Sequence, residues 1–216
     1  MEATAGFAIS GFTELQSYPV YSSDKFLIDG FETNDPRRNF TITLGVTEDH
    51  LHVVVSIPKH YSVFGGLGAS PYELHTDSYP VAGDLWNDDS FEIYFNTGNE
   101  AGSGYDENDF VRIYGYGRSV GYEPVTVTGM NSRLDLTNEA KCNAEAGGGL
   151  ISCEVRFSLE ELGIKDQPVA EIGFDVHLNS DDDGGDRDAK YSWCGGQTLE
   201  AWRDMSVVDC SLRITQ

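Results

Sequence analysis

The chain has 216 residues, with 36 Asp and Glu against 14 Lys and Arg, a formal net charge of −22. So acidic a surface repels phosphate backbones and anionic headgroups, which argues against nucleic acid or membrane as partner and for cations, neutral ligands such as sugars, or solvation alone. With 39% hydrophobic and 12% aromatic residues the chain can bury a sizeable core unaided, and no apolar run approaches the ~18 residues of a membrane span.

The N-terminal MEATAGFAIS shows neither the basic stretch nor the apolar stretch of a secretory signal, so the expectation is a mature chain whose leader is gone. NFTITLGVT (39–47) and HLHVVVSIP (50–58) alternate apolar and polar residues and read as strands joined by the EDH turn. Asn39-Phe40-Thr41 is a glycosylation sequon. A long irregular segment, 59–89, follows. SFEIYFN (90–96) and DFVRIYGYG (109–117) are strands by the same alternation. Cys142 and Cys153 flank NAEAGGGLIS, a hairpin with a Gly-Gly-Gly turn that leads into the strand LISCEVRFS (150–158). SLEELG (158–163) resembles one or two turns of helix, with Ser158 as N-cap and Glu161 at the capping-box position. EIGFDVHLN (171–179) and VVDCSLRIT (207–215) close the set, on either side of a second long irregular segment, 180–206. Neither a linker nor a repeat divides the chain. The expectation is one all-β domain over 1–216, an antiparallel β-sandwich of two sheets with Greek-key or jelly-roll-like connections and at most one short helix. Loops as long as its two irregular segments usually carry function.

Four cysteines allow three pairings. The expected one joins Cys142 to Cys153 across the hairpin and Cys194 to Cys210 around Trp202, each bridge adding ~3 kcal/mol. A zinc site is the weaker reading because CxxC spacing is missing. Disulfides and sequon together predict an oxidising, extracellular location.

Strand parity sorts the faces. Phe91, Ile93 and Phe95 point to the core, as do Val111 and Ile113, and Ile172, Phe174, Val176 and Leu178. The opposite face then carries Glu92, Tyr94, Arg112, Tyr114, Asp175, His177 and Asn179. That set reads either as an ordinary wet face or as a concentration of planar donors and acceptors. Trp86 precedes the Glu92 strand, and Trp193 and Trp202 follow the His177 strand, all in Gly- and Asp-rich surroundings without apolar periodicity. A sugar ring needs aromatic platforms for its C–H faces and charged or amide groups for its hydroxyls, and these residues meet both needs.

W-x-x-D-S-x-E-I-Y-F-N at 86–96, LIDGF at 27–31, EVRFSLEELGI at 154–164 and IGFDVHLN…W…AWRD…SLRI from 172 to 214 resemble, in matching order, the motifs of carbohydrate-binding module family 9. That family sits in the broader DOMON-like group of β-sandwiches. The resemblance spans roughly residues 15–216. It implies a β-sandwich with structural calcium that binds β-linked polysaccharides or oligosaccharides, often at chain ends. By motif, Trp86 and Trp202 clamp a sugar ring, with Glu92, Arg112 and His177 on its hydroxyls. His177 stands where the family has Gln. Asp77 is assigned loosely to a polar loop position, and Gln197 or Glu200 takes the place of an asparagine expected before AWRD. Trp193 becomes structural. The implied protein is a monomer tethered to the catalytic domains of a secreted polysaccharide-degrading enzyme.

Three other chemistries have candidate residues in the chain. Asn179-x-Asp181-x-Asp183-Gly184 matches the first half of an EF-hand loop, but Lys190 occupies the twelfth position. A looser calcium site on Asp181, Asp183, Asp186 and Asp188 is expected instead, with Asp29, or Asp106, Glu107 and Asp109, as other places for the ion. Glu92 with Asp175 offers a carboxylate pair for glycoside cleavage, weakened by the abundance of acids and by Arg112 on the same face. A haem site on Met130 or Met205 with one of five histidines lacks a methionine patterned with a strand histidine.

Overall fold

A computed structural model describes residues 20–22, 26–28, 31–33, 40–58, 85–87, 90–98, 109–115, 126–128, 138–144, 150–180, 187, 189–193 and 211–215. The alternating segments 41–46, 50–58, 90–96, 109–115, 150–158 and 171–179 all become strand. In chain order the strands are β1 (Val20–Ser22), β2 (Phe26–Ile28), β3 (Phe31–Thr33), β4 (Thr41–Val46), β5 (His50–Pro58), β6 (Ser90–Asn96), β7 (Asp109–Gly115), β8 (Thr126–Thr128), β9 (Asn138–Ala144), β10 (Leu150–Ser158), β11 (Val169–Ser180), β12 (Ala189–Ser192) and β13 (Ser211–Thr215). One antiparallel sheet runs β1-β4-β5-β10-β9. The other runs β12-β11-β6-β7-β8, with β13 on the same edge of β11 as β12. β2 and β3 form a separate ribbon.

The core lies between the two sheets. Ile42 and Leu44 of β4, Leu51, Val53, Val55 and Ile57 of β5, and Val155 and Phe157 of β10 face Phe91, Ile93 and Phe95 of β6 and Ile172, Phe174, Val176 and Leu178 of β11. Phe95 bridges the layers, edge-on to Phe157 at 4.8 Å and 5.5 Å from Phe174. Each such aromatic removes on the order of 150–250 Å² from water, which makes this seam the main apolar contribution to stability. The expected all-β sandwich is thus present.

The Gly-rich hairpin pairs β9 with β10 and sets Cys142 directly opposite Cys153, and Cys153 is disulfide-bonded. At 158–163 the expected helix is reduced to one turn. Ser158 Oγ accepts from the Glu161 N–H at 3.3 Å, as a cap should. The turn then closes at once, with Gly163 N–H donating to the Glu160 carbonyl and Ile164 N–H to that of Leu159. That pair of bonds is a Schellman stop, and it requires the left-handed φ of +70° found at Gly163. Leu159, Leu162 and Ile164 drop into the core from this turn.

Gly163→Ala has room for its methyl group but must hold a left-handed backbone, so it should destabilise the protein by about 1 kcal/mol. Urea denaturation would show this as a lower midpoint at unchanged slope. An unchanged midpoint would mean that the turn does not need its left-handed residue.

Candidate functional site

β11 is twelve residues long and is buried on both sides, so it serves two functions at once. Its apolar residues form the core, and its polar residues Asp175, His177 and Asn179 form the reverse face. Directly paired residues in an antiparallel ladder project to the same side. The register pairs Tyr94, Glu92 and Ser90 with Asp175, His177 and Asn179. On the other edge it pairs Ser192 and Lys190 with His177 and Asn179. Eight polar side chains therefore share one face. The ordinary wet face is not what forms: Asp175, His177 and Asn179 are fully buried and Glu92 is only 2% exposed.

Burial is tolerated because the carboxylates of this face are hydrogen-bonded by their neighbours. Lys190 Nζ donates to Glu92 Oε2 at 2.9 Å and lies 3.4 Å from the Tyr94 hydroxyl. Tyr94 in turn donates to Glu92 Oε2. Asn179 Nδ2 reaches Glu92 Oε1 at 2.7 Å and Ser90 Oγ at 2.9 Å. Asp175 accepts from Ser192 Oγ at 2.8 Å, from the Val176 N–H at 2.8 Å and from His177 Nε2 at 2.9 Å. A carboxylate can only accept, so Nε2 carries the His177 proton there. His177 Nδ1 lies 3.8 Å from Glu92 Oε2, beyond hydrogen-bond reach. Burial alone would raise the Glu92 pKa. The charge of Lys190, the adjacent His177 and the bonds from Tyr94 and Asn179 outweigh it and hold the value at about 2. Burial pushes Lys190 down, partly offset by Glu92.

At the rim of this face a short 3₁₀ turn, Leu85–Asn87, carries Trp86. Trp86 is 42% exposed and, with Val169, is one of two exposed large apolar residues among those described. Arg187 fixes the turn: its backbone N–H donates to Asn87 Oδ1 at 2.8 Å, and its Nη1 donates to the Trp86 carbonyl at 3.3 Å and to Asn179 Oδ1 at 3.2 Å. Its guanidinium carbon sits 5.1 Å from the centre of the Trp86 ring. A continuous chain of contacts thus runs from Lys190 through Glu92, Asn179 and Arg187 to the exposed indole.

Of the residues singled out from sequence, Glu92 and His177 come together as expected and Trp86 stands at their rim. Arg112 does not join them. It pairs with Ile93, while Val111 and Ile113 pair with Tyr94 and Glu92, which reverses the faces expected for β7. Tyr114 confirms the correction by stacking on the core residue Phe91 at 4.9 Å. The expectation failed because both sides of β7 are buried: Val111 is as enclosed as Arg112 and Tyr114, so apolar character does not mark the core side. Burial raises the Tyr114 pKa further. Trp193 packs against the core, edge-on to Phe174 at 5.8 Å, as the structural assignment expects. Trp202, Asp77, Gln197, Glu200, Asp181, Asp183, Asp186, Asp188, Cys194, Cys210, Asp29, Asp106, Glu107, Met130, Met205 and the sequon Asn39 lie outside the described residues. Among the described residues no group of His, Cys, Asp and Glu is arranged to hold a metal ion. Sequence reasoning missed Lys190 as a partner of Glu92. The alternation in KYSW (190–193), polar then aromatic, was the available sign of a strand that would turn Lys190 towards the polar face.

Glu92 has its folded pKa below its ordinary 4.5, so its stabilisation is complete above about pH 4.5 and fades as pH falls towards about 2. Glu92→Gln should therefore show a shallower acid loss of stability than the parent between those values, followed by circular dichroism. Lys190→Met leaves a buried carboxylate without its cation and should cost about 3 kcal/mol; a cost within error of zero would mean that the pair contributes nothing.

The fold has known counterparts. A carbohydrate-binding module family 9 protein from Caldicellulosiruptor kristjanssonii, solved in complex with glucose, superposes with a TM-score of 0.61 at 15% identity over 99% of this chain and 92% of that one. Another from the same organism, solved in complex with cellotriose, gives 0.58 at 17% identity over 85% and 78%. No curated protein sequence matches the chain. The sequence profile for "Carbohydrate family 9 binding domain-like" matches residues 72–209, a stretch that begins before Trp86 and takes in every member of the buried polar face, and the chain belongs to that family of carbohydrate-binding domains.

Proposed function

We propose that this domain is a non-catalytic module that binds a β-linked oligosaccharide or polysaccharide by stacking a sugar ring on Trp86. The observation that carries the reading is the exposed Trp86 indole, held at the rim of a hydrogen-bonded polar face in a family of carbohydrate-binding domains. The glucose and cellotriose in the similar structures support a β-glucan as the ligand class. Trp202, by its motif, supplies the second wall of an end-on clamp, and Asp77 and Gln197 supply loop groups for hydroxyls. Glu92 and His177 act from beneath by fixing the frame, since neither reaches the surface. Arg112 projects from the other side of its strand, away from Glu92 and His177.

Catalysis fits the site poorly. A general acid must hold its proton near the working pH, and Glu92 is held ionised by Lys190. We also propose structural calcium on Asp181, Asp183, Asp186 and Asp188, the bridges Cys142–Cys153 and Cys194–Cys210, a monomeric state, and a secreted setting as an accessory to a polysaccharide-degrading enzyme.

Trp86→Ala should weaken cellotriose binding in calorimetry by ~1–3 kcal/mol while leaving the circular dichroism spectrum unchanged. An unaltered affinity would show that Trp86 is not the platform. Chelation with EDTA should lower the melting temperature without abolishing binding; a melting curve indifferent to EDTA and to added calcium would remove the metal from the proposal.

A further inference from the structure

Trp86 has two ring faces, and they are not equivalent. The Arg187 guanidinium carbon lies 5.1 Å from the ring centre, within the ~6 Å at which a cation is drawn to an aromatic face. The same side chain holds the Trp86 carbonyl and Asn179 Oδ1, and its backbone holds Asn87. Asn179 is itself fully buried and bonded to Glu92 and Ser90. Arg187 is thus fixed at both ends: to the 3₁₀ turn that carries the indole and to the polar face beneath it. An exposed tryptophan ordinarily samples several rotamers, and each must be given up on binding.

We infer that Arg187 is the positioning residue of the sugar platform. It occupies one face of the Trp86 ring and locks the indole to the buried network, so that a single face is left to accept a sugar ring. The inference rests on the carbohydrate-binding reading for its ligand, while the locking of Trp86 stands apart from it.

Two measurements test this. In the ligand-free protein, the Trp86 indole N–H resonance is assigned by its loss in Trp86→Phe, and its heteronuclear NOE is compared between parent and Arg187→Ala. The NOE should fall in Arg187→Ala and be largely restored in Arg187→Lys, which keeps a cation over the ring. An NOE unchanged in Arg187→Ala overturns the locking whether or not the protein binds sugar. Calorimetry with cellotriose then completes a double-mutant cycle. Arg187→Ala should weaken binding about tenfold in the parent, the scale of one partly desolvated cation–π contact, and should cause no further loss in a Trp86→Ala background. Equal losses in both backgrounds would show that Arg187 contacts the sugar independently and would overturn the positioning role. A parent protein that binds neither cellotriose nor glucose, yet shows the NOE response, would sink the proposed ligand and leave the locking intact.

Discussion

Glu92 and Asp175 are kept out of water on the reverse of the second sheet, and an enclosed carboxylate is stable only if a cation or several donors accompany it. The Lys190–Glu92 pair meets that condition, and much else follows from it. Removing two ions from water costs several kcal/mol each, which their attraction offsets only when the remaining lone pairs are also satisfied. Tyr94 and Asn179 do this for Glu92, and Ser192, His177 and the Val176 N–H do it for Asp175. Apolar side chains of equal volume would fill the same space, but they lack direction. Hydrogen bonds fix angles as well as distances, so β12 is held against β11 in one register, and Arg187 begins from a fixed point.

The first sheet repeats the device on a smaller scale. On its reverse face His52 Nδ1 donates to Glu154 Oε1 at 2.9 Å between two buried side chains, and Ser56 and Ser152 bond across the same pair of strands. Both sheets are therefore enclosed on their reverse faces at their central strands. A sandwich of this kind resembles a layered sheet more than one with a solvated exterior.

That enclosure explains how the sequence could be read and where it could not. β5, β6 and β10 were legible because their core sides are uniformly apolar, with Leu51, Val53, Val55 and Ile57, then Phe91, Ile93 and Phe95, then Cys153, Val155 and Phe157. β7 has Val111 and Tyr114 buried on opposite sides, and alternation cannot say which side is the core when both are dry. β9, NEAKCNA, has few residues of high β-propensity. It is strand through its partner, since a tight glycine-rich turn brings it back onto β10. The helix signature of SLEELG gave a genuine cap but only one turn, because Gly163 ends it before a second can form. In the site, parity alone brought Glu92 and His177 together. It could not show that they would be buried, because burial depends on what packs above them, and it could not find Lys190, whose partners lie 98 and 96 residues away in sequence.

One edge of β11 is shared between two strands. β12 takes Ser180 to His177, β13 takes Gly173 to Val169, and the Trp193 N–H bonds the Val176 carbonyl at 2.8 Å. The chain thus leaves this edge at Val176 and returns at Gly173, points only ~10 Å apart at the rise of a strand. In sequence, residues 194–210 connect these two points. Because the cost of closing a loop grows only with the logarithm of its length, this segment can lengthen, shorten or change composition without altering the register of either flanking strand. Variation between these two strands is therefore decoupled from the sandwich, whose register is fixed on either side of the gap.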